Sequence, residues 1–155
     1  MKFKAASLVI AGSLILPSFA LAESEDVSTI YDTTLKATKT FEAVPLDDSI
    51  SVNATKPYYV AKSSLYRLGG SYSTSRSYTS SAKTKSKAID LIYAKTKHYV
   101  KGALQGSASD TEKNSSRAGA EVNYGKQYPG DWEVFGSHKF QHKGYKTWQP
   151  ETYDT

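Results

Sequence analysis

Cysteine is absent from this 155-residue chain, and its single methionine is Met1. No disulfide can staple the fold, and thiolate nucleophiles, thiolate metal ligands and cysteine-linked lipids are excluded. Small exported domains commonly lean on disulfides, so this one must hold together by packing alone. Long apolar runs are missing too. After Pro17 no segment is apolar enough to cross a bilayer, which takes about 20 such residues. There is no GxxxxGK[ST] phosphate loop, no GxSxG nucleophile elbow, and no internal repeat of the solenoid kind.

The first residues are nonetheless distinctive. Lys2 and Lys4 precede an apolar run from Ala5 to Leu16, and Ala20-Leu21-Ala22 sets small residues at a cleavage position. This is the pattern of a secretory signal covering residues 1–22, with Glu23 as the expected mature N-terminus. The run is too short to serve as a membrane anchor. The expected location is outside the cell, free or associated with the wall. A cysteine-free exported domain suits the exterior of a Gram-positive bacterium, which lacks a strong disulfide system.

Charge is unevenly spread. Residues 23–48 carry seven acidic and two basic side chains, a net −5, while residues 49–155 carry eight acidic and sixteen basic, a net +8. Residues 23–56 have few large apolar groups and read as an acidic, loosely structured leader to a β-domain over residues 57–155. The cationic body is either an ordinary solvated surface or a surface for an anionic partner such as wall polymer or lipid headgroup.

Within the body, alternation prevails. Tyr58, Val60, Lys62, Ser64, Tyr66 and Leu68 share one strand face, and Gly69-Gly70 ends the run. SYSTSRSYTS, residues 71–80, has period two, with Tyr72, Thr74, Arg76 and Tyr78 on one side and serines on the other. It reads as a strand with one small, wet face. Residues 88–104 fit a helical stripe or a strand, and their β-branched and aromatic content favours the strand. Residues 106–119, GSASDTEKNSSRAG, lack any large apolar side chain and read as a loop. Asp47-Asp48 and YPGD at residues 128–131 read as turns. Short alternating runs broken by Gly, Pro, Ser and Asn are the pattern of a small single-domain antiparallel β-sandwich or barrel.

The densest chemistry lies in HKFQHKGYKTWQPET, residues 138–152. On an unbroken strand Trp132, Val134, Gly136, His138, Phe140 and His142 share a face, and Lys143-Gly144 is a hairpin turn leading into a returning strand. Two strand histidines four apart are separated by about 13 Å, too far for one zinc ion. His138, His142 and His98 are therefore weak metal candidates, and no metal or other cofactor is expected. Ser137 beside His138 is adjacency rather than a triad, and Asp131 and Glu133 fall on opposite faces. No catalytic residue is assigned. The candidate binding residues are Lys139, Lys143, Tyr145, Lys146 and Trp148, with Trp148 equally able to close the core. The leading expectation is a secreted, non-enzymatic protein that binds at the cell envelope through a cationic face containing Tyr and Trp. No nucleic-acid partner is expected. A bacteriocin-like antibacterial protein is the alternative, and a small secreted hydrolase comes third.

Overall fold

The computed structural model describes residues 28–47, 56–66, 71–79, 87–124 and 131–155. Among these the protein is all-β and contains no helix. The strands are β1 (Thr29–Asp32), β2 (Thr38–Glu42), β3 (Tyr58–Tyr66), β4 (Ser71–Thr79), β5 (Ile89–Val100), β6 (Ala103–Ser115), β7 (Arg117–Tyr124), β8 (Trp132–Gln141) and β9 (Thr147–Asp154). They form two sheets packed face to face, one in the order β1-β9-β8-β5-β6 and the other β2-β3-β4-β7. The β-sandwich expected from the alternation is the architecture observed. Residues 1–22, read as a secretory signal, and Asp48, Gly69-Gly70 and most of YPGD lie outside the described residues.

The alternation has a direct physical cause. Successive side chains of a strand point to opposite sides, and β8 reads buried and half-buried in strict turn from Trp132 to Phe140. It sits between β5 and β9, and its register with β5 runs without a slip from Leu91↔Gln141 to Val100↔Trp132. Gly136-Ser137 is therefore neither bulge nor turn. β5 is a strand throughout, which resolves the helix-or-strand ambiguity of residues 88–104. Its hairpin to β6 is made by Lys101 and Gly102, both at positive φ (50° and 75°), as a two-residue turn matched to strand twist requires.

Residues 106–119, expected as a loop, are instead most of β6 and the start of β7. The composition misleads because both are edge strands of their sheets. An edge strand with one face in water needs little apolar bulk, and small residues suffice where the two sheets meet. Ala118 and Ala120 are buried, and a Cβ on Gly106 would stand only 2.9 Å from Val122 Cγ1.

Residues 28–47 add one edge strand to each sheet. β1 lies parallel to β9, and β2 lies antiparallel to β3. Lys39 of β2 spans the gap between them. Its Nζ donates to the Asp32 carbonyl oxygen at 2.7 Å and to Asp32 Oδ1 at 2.8 Å. On the opposite side of the sandwich Asp110 Oδ2 of β6 accepts the Gly119 N–H of β7 at 2.8 Å. Carboxylates thus tie sheet to sheet along both open sides.

Candidate functional site

The interior divides along the strands. At one end Trp148 packs against Phe41 and Phe140, with ring centroids 5.1 Å and 5.2 Å away, and Tyr59 stacks on Phe140 at 4.9 Å. Ile89, Ile92, Ala43, Ala61, Ala94, Ala118 and Tyr145 complete this apolar cluster. Trp148 is 1% exposed and Tyr145 6%. The two aromatic binding candidates are thus core side chains, and of the five candidates only the lysines reach the surface. Lys143 is exposed, while Lys139 and Lys146 are partly so.

Beyond the aromatic end the inward-facing residues become hydroxyls and an imidazole, before Val134, His98 and Trp132 follow at the far end. Ser63, Ser73, Ser75, Ser77, Thr96 and Thr152 are buried, as is His138. The serine face of β4 is therefore dry, not wet. Its small side chains let the sheets approach until hydroxyls meet across the gap. Ser63 Oγ lies 2.6 Å from Thr152 Oγ1 and 2.8 Å from Ser75 Oγ. His138 Nε2 is 2.8 Å from Thr152 Oγ1, and its Nδ1 is 2.8 Å from Ser77 Oγ.

The direction of every proton in this chain follows from one contact. Ser77 Oγ lies 2.6 Å from the Tyr93 carbonyl oxygen, which can only accept. Ser77 spends its single hydrogen there, so His138 Nδ1–H must donate to Ser77. The neutral imidazole then presents a lone pair at Nε2. Thr152 donates to it, Ser63 donates to Thr152, and Ser75 donates to Ser63. The chain runs from Ser75 to the Tyr93 carbonyl and crosses between the sheets three times. Gly136 stands beside its midpoint, where a Cβ would collide with Ser63 Oγ, Thr152 Oγ1 and His138 Nε2. Burial, and then the positive charge of Lys39, hold the His138 pKa down to about 3. Protonation at Nε2 would require Thr152, Ser63 and Ser75 all to reverse. This is a satisfied buried network, closed to solvent, and Ser77 is not positioned as an accessible nucleophile.

The histidines are held apart by the fold. His138 belongs to the hydroxyl chain. His98 lies beside Trp132 at 5.2 Å between centroids, and burial lowers its pKa. His142 stacks on Tyr145 at 5.6 Å, with Nδ1 3.4 Å from Asp90 Oδ1. Among the described residues no group of three or more His, Asp or Glu side chains is placed to hold a metal ion.

The outer face of the five-stranded sheet is the other feature with binding chemistry. Register puts Tyr93, Lys95, Lys97 and Tyr99 of β5 beside Lys139, Ser137, Phe135 and Glu133 of β8. Phe135 meets Tyr99 edge-on at 5.5 Å and Tyr153 at 4.7 Å. Tyr153 donates to Glu133 Oε1 at 2.7 Å, a bond that raises its pKa. Lys97, Tyr99, Phe135, Gly136, Ser137 and Glu151 border a shallow depression of about 150 Å³. These half-buried rings beside lysines were missed at the sequence level. The signal was the odd-numbered positions of residues 91–99 and 133–139, whose polar and aromatic mixture marks the outward face.

Fold and interior together define a class: a cysteine-free β-sandwich whose interior sets a hydroxyl–imidazole chain beside an aromatic cluster. Comparison with family models, with curated proteins and with solved structures finds no match.

Proposed function

We propose that the chain is a secreted bacterial binding protein, not an enzyme, and that it attaches to an anionic surface of the cell envelope. The observation behind this reading is the placement of Lys139, Lys143 and Lys146. They lie at or near the surface along the outer face of β8 and its turn into β9, continuous with Lys95, Lys97 and the half-buried Tyr93, Tyr99 and Phe135. Lysines beside aromatic rings supply both charge attraction and contact area for a polymer or headgroup layer. The enclosure of the Ser77–His138 pair argues against using it for hydrolysis.

The test is retention on purified cell wall and on anionic vesicles at rising salt. Retention should fall steeply toward physiological ionic strength, where exposed charges are screened over about 8 Å. Replacing Lys139, Lys143 and Lys146 with glutamine should weaken it and leave the fold intact. Salt-insensitive retention, or none, overturns the reading. Killing of related strains in a growth assay would shift it to the antibacterial alternative.

A further inference from the structure

We infer that the tip formed by residues 43–46 and 143–146 is a lipid-engaging site that inserts into the headgroup region of an anionic bilayer. This rests on the envelope-binding reading and names the surface that is bound. Two segments from different sheets are locked together here. Leu46 N–H donates to the Gly144 carbonyl at 2.9 Å, Lys146 N–H donates to the Val44 carbonyl at 2.8 Å, and Pro45 bridges Tyr145. Gly144 takes the positive φ of 85° that the turn needs. A further bond, Ala43 N–H to the Pro57 carbonyl at 2.9 Å, brings the start of β3 alongside.

This backbone lattice sorts the side chains. Ala43 and Tyr145 point into the aromatic core, at 2% and 6% exposure, while Val44 and Leu46 are held outward at 37% and 49%. The tip is fastened at several points, so these aliphatic groups cannot fold back onto the core beneath them. Tyr58, which follows Pro57, is 38% exposed, and a phenol at that level suits the membrane–water interface. Around the apolar points stand Lys56, Lys143, Lys146 and, further along β8, Lys139. Three carboxylates share the region, and one of them, Glu42, is exposed and pairs in register with Tyr58. Asp90 is engaged by the Lys143 N–H at 2.6 Å and by His142, and Asp47 is exposed beside Leu46. Among the described residues four lysines stand against three acids, and the long lysine stems let the charges reach phosphates while Val44 and Leu46 enter the acyl boundary. A soluble anionic polymer offers the same charges but no apolar layer, so the exposed aliphatic pair selects lipid.

Residues 23–155 contain every described strand and omit the apolar leader, which would itself partition into lipid. This protein is mixed with vesicles of phosphatidylcholine, with vesicles containing phosphatidylglycerol, and with soluble poly(glycerol phosphate). Binding is expected to the phosphatidylglycerol vesicles and not to phosphatidylcholine alone. The double variant Val44→Ser, Leu46→Ser should lose vesicle affinity by about tenfold or more, from the apolar area no longer buried, with polymer binding unchanged. Lys143→Gln with Lys146→Gln should weaken both, by about fivefold per lysine. Vesicle binding unaffected by the serine pair overturns lipid insertion and leaves envelope binding standing. Binding to the polymer alone also overturns it. Failure to bind any anionic partner removes the envelope reading itself. Tryptophan fluorescence of each variant checks that the core around Trp148 is intact.

Discussion

Two neighbouring regions of the sandwich interior, the aromatic end and the hydroxyl chain, fill the gap between sheets by opposite means. At the aromatic end, Phe41, Tyr59, Phe140 and Trp148 hold the sheets through stacked rings. Along the hydroxyl chain, Ser63, Ser75, Ser77 and Thr152 are too small to fill such a space, and the sheets meet through hydrogen bonds instead. Ring packing is non-directional and tolerates small shifts. The hydroxyl chain has a fixed polarity set by one carbonyl, so each member depends on the next. A chain without cysteine gains a sheet-to-sheet staple from each region, one by area and one by geometry.

The largest effect should come from the aromatic end. Trp148→Ala removes the ring shared by three aromatic neighbours and should cost about 3–5 kcal/mol, measured by urea unfolding. Loss of fold rather than of binding alone is the expected outcome, because Trp148 is buried.

Acid should strike the hydroxyl chain. The His138 pKa is held to about 3 in the folded chain, below the roughly 6.5 of an unfolded histidine. Between those values the unfolded state binds the extra proton. Stability is therefore full above about pH 6.5 and falls as pH drops toward 3, by a few kcal/mol in all. His138→Gln should be less stable at neutral pH and show a flatter acid slope. An unchanged slope would place the acid sensitivity elsewhere.

Gly136→Ala should cost about 1–3 kcal/mol, since overpacking forces neighbours aside, and here three hydrogen-bonded atoms stand in the way. The same substitution at Gly102, where no atom lies within 4 Å, meets only its backbone cost. The smallest effect should be Tyr59→Phe. The Tyr59 hydroxyl is buried without a hydrogen-bond partner, and burial raises its pKa. Deleting it should change stability by less than about 1 kcal/mol, or raise it, because no bond is lost. A large loss would show that the hydroxyl is satisfied after all.

How far the sequence disclosed this division depends on residue size. Period-two patterning with aromatic and β-branched residues revealed β3, β5 and β8 as strands, but large side chains announced the buried face only in β8. In β3 Tyr58 and Tyr66 are exposed, and Tyr59, Ala61 and Ser63 are buried. In β8 the patterning placed His138 on the inward face with Trp132, Val134 and Phe140. The same logic found β4 as a strand but took its serine face for a wet one, and it missed β6. Serine says nothing by itself about burial, since a hydroxyl is content in water or opposite another hydroxyl, and only the facing sheet decides. Ser63, Ser75 and Ser77 come from two strands, and their partners Thr152 and His138 from two more. Partners up to 89 positions apart leave no local trace. Trp148 was undecided for a related reason. A ring near the end of a chain serves as core or contact surface equally well until its neighbours are known.

The most direct test of the hydroxyl–imidazole core is the nitrogen NMR spectrum of His138, recorded through an acid titration of residues 23–155. The structure requires a neutral ring protonated at Nδ1 with Nε2 bare, unchanged as pH falls through 6.5 and until the protein itself unfolds. A ring protonated at Nε2, or one that titrates near 6.5 in the folded protein, would contradict the proton order from Ser75 to the Tyr93 carbonyl.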